Sequence, residues 1–269
     1  METKWDDSYD VVVVGSGASA LTAAITAEYN GMKALVVEKL AQWGGSSAYS
    51  GGGLWIPDNF LMKEAGALDS PEEALEYMEA VIEDVGPASL RARKEAYVYN
   101  APEMVNFLKK LGFEWQRAAL YPDYYPNVKG AKTGRVIESK VFNGRKLKKL
   151  RKSQIVAPGM PPIAIASGDA YLLPLVIRTW KGFKGTMGVF GKTIKWLITG
   201  RYPLGIGRAL TGRLMYILQS NYQTPVWLSS PLKDLIIENN RVVGVKVEKE
   251  GKLMNIQAKK GVLLGAGGF

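Results

Sequence analysis

The stretch Val11-Val12-Val13-Val14-Gly15-Ser16-Gly17-Ala18-Ser19-Ala20 decides the fold. Four consecutive valines form a buried strand, because a strand covered on both faces has no polar side to alternate with. The strand runs straight into a glycine turn, and the periodic apolar residues that follow, to about residue 30, read as a helix. Ala34-Leu35-Val36-Val37 is a second strand and ends at Glu38. Strand, glycine turn, helix, strand and terminal acid, in that order, make the unit that binds the ADP half of a dinucleotide. Gly15 permits the tight turn out of the strand, and Gly17, lacking a Cβ, lets backbone approach a pyrophosphate. Ala20 occupies the third fingerprint position, where a small residue lets helix and strand pack closely. The helix beginning here aims free N–H groups and the positive end of its dipole at the phosphates. Glu38, about 20 residues on, is placed to accept ribose hydroxyls and to disfavour a 2′-phosphate.

Two further clusters follow, Trp43-Gly44-Gly45-Ser46-Ser47 and Ser50-Gly51-Gly52-Gly53. Serine hydroxyls and bare glycine amides suit an anionic, extended ligand. Ser70-Pro71-Glu72-Glu73 marks a helix start, with Ser70 as N-cap, proline at the first position and Glu73 reaching back to close a capping box. Two or three helices are expected over 71–111, broken near Gly86-Pro87 and Ala101-Pro102. Residues 121–168, rich in Tyr, Pro, Gly and Lys, read mostly as loop, and 168–220 as a weakly amphipathic, glycine-interrupted region. From Val226 the pattern is short and β-like: Leu235–Ile237, Arg241–Val247 and Leu253–Ala258 suit a meander. Gly261–Gly268 reads as a further strand entering a glycine loop. The fold class is α/β: a Rossmann-like domain over 1–269 with a β-meander and a basic, helical insert at about 139–220.

Composition removes several chemistries. With neither Cys nor His in 269 residues, disulfides, cysteine nucleophiles, Ser-His-Asp catalysis and the usual zinc ligands are excluded, and no metal site is expected. Proton transfer falls to Tyr, Lys, Asp or Glu. The polar, acidic start Met1-Glu2-Thr3-Lys4-Trp5-Asp6-Asp7 resembles no signal peptide, and there is no run of eighteen apolar residues, so a cytoplasmic location is expected. From Ser139 to Lys233 stand sixteen Lys or Arg and one acid, Asp169, a net +15 in a chain of net charge +10; the remainder is −5. Lys and Arg interleaved with Trp, Phe, Leu and Ile from Arg145 to Trp196 suit peripheral contact with an anionic membrane surface, or simply a solvated basic face. No recognition motif accompanies the charge, so nucleic-acid binding is not expected.

Asp10–Gly17, Glu38-Lys39, Gly44-Gly45-Ser46-Ser47 and Ser50-Gly51-Gly52-Gly53-Leu54-Trp55-Ile56-Pro57 resemble the flavoproteins related to fumarate reductase and succinate dehydrogenase. The Ser50–Pro57 stretch is similar, within them, to FAD-dependent 3-ketosteroid Δ1-dehydrogenases. Tyr121-Pro122-Asp123-Tyr124-Tyr125-Pro126 and Pro225–Leu232, with the final glycine-rich strand, add to that similarity. The resemblance implies FAD as cofactor. It implies Gly15, Ser16, Gly17, Ala18 and Ser19 on the pyrophosphate, and Glu38 on the adenosine ribose with Lys39 alongside. Gly45, Ser46, Ser47, Ser50, Gly51 and Gly52 would run toward the flavin ring. Leu232 would meet the adenine edge through its backbone, and Ala266 and Gly267 would pass the ADP half.

The resemblance also makes Tyr124 catalytic. In the family this tyrosine hydrogen-bonds a second one, which as phenolate takes a proton from steroid C2 while hydride leaves C1 for the flavin. The implied partners are a steroid-like substrate and an external electron acceptor. The second tyrosine, the groups that polarise the C3 carbonyl and the last flavin-contacting segment have no counterpart up to Phe269, so the chain is expected to be the first part of a longer protein, inactive alone. A fumarate-reductase-like enzyme acting on a small dicarboxylate, or a nucleotide-binding module without catalysis, are the alternatives. The first is disfavoured by the absence of His.

Overall fold

The computed structural model describes residues 3–268. In chain order, β1 (Asp7–Val14), α1 (Ala18–Tyr29) and β2 (Ala34–Val37) form the opening unit where the valine run and its helix place it. Then come α2 (Gly45–Tyr49), β3 (Leu54–Trp55), α3 (Phe60–Glu64), α4 (Pro71–Val81), α5 (Arg91–Lys110), β4 (Trp115–Arg117), β5 (Val136–Ser139) and β6 (Phe142–Asn143). Two short 3₁₀ turns, separated by a kink at Lys148, cover Gly144–Ser153, followed by α6 (Ser167–Ala170), α7 (Trp180–Ile198), β7 (Pro203–Leu204) and α8 (Ile206–Asn221). The chain closes with β8 (Val226–Trp227), β9 (Leu232–Glu238), β10 (Arg241–Lys249) and β11 (Lys252–Leu264).

The main sheet has the order β8-β2-β1-β11-β10-β9. β1 pairs in parallel with β2 (Val11 opposite Ala34 through Val14 opposite Val37) and with β11 (Val11 opposite Gly261 through Val14 opposite Leu264). β9, β10 and β11 are antiparallel, the expected meander. Successive side chains of a strand point to opposite faces. Val13 and Val36 accordingly join α1, α5 and α8 in one core, whereas Val12, Val14, Leu35 and Val37 meet Val245, Val247 and Ile256 in another. Both faces are covered, which is why the valine run needs no alternation.

Three expectations are corrected. The break expected near Ala101-Pro102 is absent: α5 runs through Pro102, because Val98, Ala101, Val105 and Leu108 form one buried stripe that holds both halves. A proline inside a helix costs about 3 kcal/mol, so packing outweighs it here. The last two β segments are one strand, β11, which pairs with β1 on both sides of a bulge that places one extra residue between Ala258 and Gly261, just after its pairing with β10 ends at Gln257. At α4, Ser70 Oγ accepts from Glu73 N–H (3.2 Å) as expected. The Glu73 carboxylate turns to Lys132 Nζ (2.8 Å) instead of closing the capping box.

A second, three-stranded antiparallel sheet, β3-β5-β4, carries the loop 118–135. The basic excursion is closed at its base by β6 and β7, where Phe142 lies opposite Leu204 and Asn143 opposite Pro203. α8, beyond β7, belongs to the core. It is buried along nearly its whole length and packs on α1 and α2.

Candidate cofactor and active site

The loop from β1 to α1 is held from three sides. Gly15 has φ +101°, and a Cβ there would lie 2.4 Å from the Gly265 carbonyl oxygen. Any side chain would therefore separate β1 from the end of β11. Gly265 N–H donates to Val14 O (2.8 Å), which brings Ala266 and Gly267 beside the Gly15 turn. A Cβ on Gly265 would in turn sit 2.8 Å from Ala20 Cβ, so the small third position of the fingerprint packs against bare β11 backbone.

Ser16 is buried. Its hydroxyl donates to Glu38 Oε2 (2.6 Å) and accepts from Gly44 N–H (3.0 Å). One side chain thus ties the phosphate loop, the acid ending β2 and the second glycine cluster together. Glu38 is 7% exposed, and its Oε1 accepts from Leu40 N–H (3.0 Å). An ionised carboxylate has about four acceptor sites, so two remain for a ribose diol. Lys39 beside it is exposed. Ser230 N–H donates to Glu38 O (2.8 Å), fixing the turn that leads to Leu232 at the start of β9.

The second cluster meets the first. Trp43, fully buried, bridges Ser153 O and Ile155 N–H through its backbone and donates its indole N–H to Leu150 O (2.9 Å). Gly44 follows with φ +117°, and a Cβ on Gly45 would come within 3.4 Å of Gly17 Cα. Ser47 Oγ accepts from Ala18 N–H (3.1 Å), while Ser19 and Ser46 are exposed. Ser50 Oγ accepts from Gly52 N–H (3.0 Å) and donates to Ser47 O (2.8 Å). Gly52, at φ +72°, presses on Ile206–Gly207 of α8, where a Cβ would be 2.6 Å from Ile206 C.

These residues fit FAD. Two glycine loops close on each other with no Cβ between them. Among the described residues the Ser16 and Gly17 amides have no protein partner, and Glu38 keeps free acceptor sites. The Ser16 hydroxyl, which the sequence offers to the pyrophosphate, is instead committed to Glu38, leaving its amide for the phosphate. Glu38, Gly45, Ser47, Ala266 and Gly267 gather around this loop. Leu232 is linked to it only through the Ser230 turn.

Beyond the glycines lies a cavity of about 510 Å³, within the range of small-molecule sites. It is lined by Ser50, Gly51 and Gly52, by Tyr121, Tyr124 and Tyr125, and by Trp55, Met78, Val81 and Ile82. Tyr124 is 83% exposed at the rim, its ring edge-on to Tyr121 with centroids 6.4 Å apart. The neighbouring Tyr124 hydroxyl, as a hydrogen-bonding partner, and then partial burial raise the Tyr121 phenol above its usual range. Ser167, from α6, closes an edge by donating its hydroxyl to Gly51 O. The buried Glu138 carboxylate accepts from Ser167 N–H (2.6 Å) and Gly168 N–H (3.0 Å).

A buried ion cluster under the tyrosine loop escapes sequence reasoning. Arg135 is fully buried and binds Asp69 with two bonds (Nη2 to Oδ1 2.7 Å, Nε to Oδ2 3.0 Å) and Asp123 with one (2.9 Å). Asp123 also accepts from Trp55 Nε1 (2.7 Å) and Lys132 N–H (2.9 Å). The Tyr-Pro-Asp-Tyr-Tyr loop therefore hangs on Arg135, and the Trp55 indole is oriented by the same carboxylate. Asp123 and Trp55 lie within recognisable motifs, but no signal singles out Arg135 or Asp69.

Known proteins agree with this geometry. The 3-oxosteroid 1-dehydrogenase of Mycolicibacterium smegmatis is 38% identical over 274 residues, covering 97% of this chain and 47% of that protein. That of Comamonas testosteroni is 35% identical over 275 residues, covering 98% and 47%. The chain thus spans about half the length of the curated relatives it matches. The crystal structure of 3-ketosteroid Δ1-dehydrogenase from Sterolibacterium denitrificans, in complex with 1,4-androstadiene-3,17-dione, superposes with a TM-score of 0.85 at 32% identity, covering 98% of this chain and 48% of that one. The family model described as FAD binding domain matches residues 10–269, from Asp10 just before the valine run of β1 through the glycine loop after β11. A nucleotide cradle built at the adjoining ends of β2, β1 and β11, in a chain that the family model matches over nearly its whole length, places this chain in the FAD binding domain family, with FAD as its cofactor.

Proposed function

We propose that the protein acts as an FAD-dependent 3-ketosteroid Δ1-dehydrogenase. The observation that carries this is the shared cavity: the glycines proposed to lead toward the flavin ring line the same apolar, aromatic space as Tyr124. FAD bound here supplies the two-electron acceptor for the hydride leaving substrate C1. The proton leaving C2 passes to a tyrosine, and Tyr124, at the rim, supplies the hydroxyl that hydrogen-bonds it. Tyr121, with its phenol raised, stays protonated at neutral pH and serves as a donor to Tyr124 rather than as the base. Trp55, Met78, Val81 and Ile82 offer apolar area to a flat polycyclic ligand. The dehydrogenase relatives and the androstadienedione complex support the same substrate class.

A small dicarboxylate fits less well. Among the described residues no Lys or Arg lines the cavity, and Arg135 beneath it is already committed to Asp69 and Asp123. The reading includes an external electron acceptor, a cytoplasmic location and contact with a membrane, into which steroids partition. The test is anaerobic titration of the FAD-loaded full-length protein, the second tyrosine included, with androst-4-ene-3,17-dione. Steroid binding and loss of the oxidised flavin absorbance are expected. Flavin bands with no steroid binding leave a nucleotide-binding module, and reoxidation of the reduced flavin by fumarate favours the dicarboxylate enzyme.

A further inference from the structure

Lys94 is a buried lysine with no part in the nucleotide cradle. It is 7% exposed and opens the buried stripe of α5, Lys94, Val98, Ala101, Val105 and Leu108, where the spacing calls for an apolar residue. Its Nζ donates to Ile82 O (2.6 Å). Among the described residues it has no carboxylate partner, whereas Arg91, one turn earlier, meets both Glu79 and Glu95. Burying an ammonium group is costly unless its charge and its donors are met, and what meets them here is the end of a helix.

Ile82 is where α4 stops. Its backbone turns extended, at φ −121° and ψ 103°, while its N–H still donates to Met78 O (2.8 Å). The last four carbonyls of a helix have no partner within it and carry the negative end of its dipole. α4 has no basic residue in its own last turn, so Lys94 supplies the cation from the next helix. That last turn is also a wall of the cavity. Met78, Val81 and Ile82, three and four residues apart, share one side of it and line the apolar space together with Tyr124. Met78 packs against Ala74, Leu75 and Val98, but among the described residues no core cluster includes Val81 or Ile82. The turn that follows gives them no anchor. Its hydrogen bonds stay inside it, where Ser89 Oγ accepts from Val85 N–H (2.8 Å) and donates to Gly86 O (3.1 Å). The Arg91–Glu79 pair lies at the surface, where such pairs contribute little.

We infer that Lys94 is a positioning residue for the steroid: by holding the Ile82 carbonyl it fixes the Val81–Ile82 wall of the cavity before substrate arrives. The inference rests on the dehydrogenase reading of the same cavity. A wall already held need not be ordered by the ligand, and ordering side chains is one of the costs of binding. Lys94 itself does not line the cavity, so its effect falls on steroid affinity and not on the chemical step.

The test is Lys94→Met in the FAD-loaded full-length protein. Methionine keeps the length of the stem and removes the donor and the desolvated charge, a replacement that buried sites tolerate. KM for androst-4-ene-3,17-dione should rise about two- to tenfold, the cost of ordering one side chain, with kcat and FAD content unchanged. With Ile82→Ala already in place, Lys94→Met should add little to KM, because both changes act on one wall. A lysine that only staples two helices predicts a lower Tm with KM as in wild type. An unchanged KM, or an effect that simply adds to that of Ile82→Ala, overturns the assignment. Amide hydrogen exchange at residues 79–82, read without steroid, supplies a second measurement. It should quicken at least about tenfold in Lys94→Met, from the loss of a hydrogen bond to a charged group, and stay unchanged at 15–19. Unchanged exchange at 79–82 overturns the assignment whether or not the protein turns over steroid. Faster exchange in a protein that turns over no steroid overturns the steroid as occupant and the dehydrogenase reading with it, while Lys94 still holds the wall.

Discussion

Replacing Arg135 by Met should destabilise the protein and loosen the cavity without emptying the nucleotide cradle. The methionine retains most of the aliphatic volume and removes the charge. What remains is two carboxylates, Asp69 and Asp123, each with about 1% of its side chain exposed and no cation beside it. Removing one partner of a buried ion pair costs about 3–5 kcal/mol. Here Asp69 keeps the Asp58 amide (2.9 Å), and Asp123 keeps the Trp55 indole and the Lys132 amide. These bonds still solvate the charges, which puts the cost near the lower end, at about 3 kcal/mol. For a protein of this size that is a fall in Tm of roughly 6–12 °C. Thermal unfolding followed by circular dichroism measures it. A cycle with Asp123→Asn isolates the pair, because the second substitution removes one of the stranded charges and should recover part of the loss. Steroid affinity should fall more than FAD affinity, since Trp55 and the tyrosine loop lose their common anchor. A Tm within about 2 °C of wild type, with no coupling in the cycle, would show that Arg135 does not bind these aspartates.

Glu38→Gln keeps an acceptor but loses the charge that meets Ser16 and, in the proposed site, the ribose, so FAD affinity measured by fluorescence titration should fall roughly 10–150-fold, from about 1.5–3 kcal/mol for a charged hydrogen bond; an unchanged affinity would remove Glu38 from the proposed cofactor site. In the full-length protein Tyr124→Phe should leave Tm and FAD content unaltered, because the residue is largely exposed, yet lower 3-ketosteroid turnover about tenfold or more. Equal turnover would leave Tyr124 a rim residue only. Tyr9, half-buried on β1, has its phenol pushed up to about 12 by burial and then by Asp7, whose carboxylate accepts its hydroxyl proton (3.0 Å). A phenol that holds its proton more tightly when folded stabilises the fold fully below pH 10, and that contribution falls away as pH rises toward about 12. Urea midpoints at pH 9 and 11.5 should therefore differ less in Tyr9→Phe than in wild type, and an equal difference would contradict the shift.

The parts of the fold visible in the sequence are those whose causes are local. The valine run, the glycines at 15 and 17 and the acid at 38 stand within one βαβ unit, and each residue's reason is its neighbour's geometry. The structure adds causes that act across the chain. Gly15 is required as much by the Gly265 carbonyl, 250 residues away, as by its own turn. α5 continues through Pro102 because its buried stripe outweighs the lost bond, and α7 forms despite four internal glycines, each of which costs about 1 kcal/mol in a helix. Its Gly182 and Gly185 allow the close approach to Leu175 and Leu172 that packs it. Local propensity argued against both helices, and tertiary contact decided them.

The site divides in the same way. Backbone sites are written in glycines, so a candidate pyrophosphate loop could be named from the sequence. The groups that hold those backbones in place could not. The resemblance sets Ser16 at the pyrophosphate, but its buried hydroxyl, 2.6 Å from the Glu38 carboxylate, is already spent. Its use is to join the two glycine clusters to Glu38. Arg135 had no visible role, because its partners lie 66 and 12 residues away on separate segments and ion pairs leave no periodic trace. Yet it is the guanidinium that fixes Asp123, and through Asp123 the position of Tyr124. In a flavoprotein of this kind the cofactor is recognised by residues chosen for what they lack, a side chain, and the substrate side is set by side chains chosen for what they reach. Only the first kind of choice is legible one residue at a time.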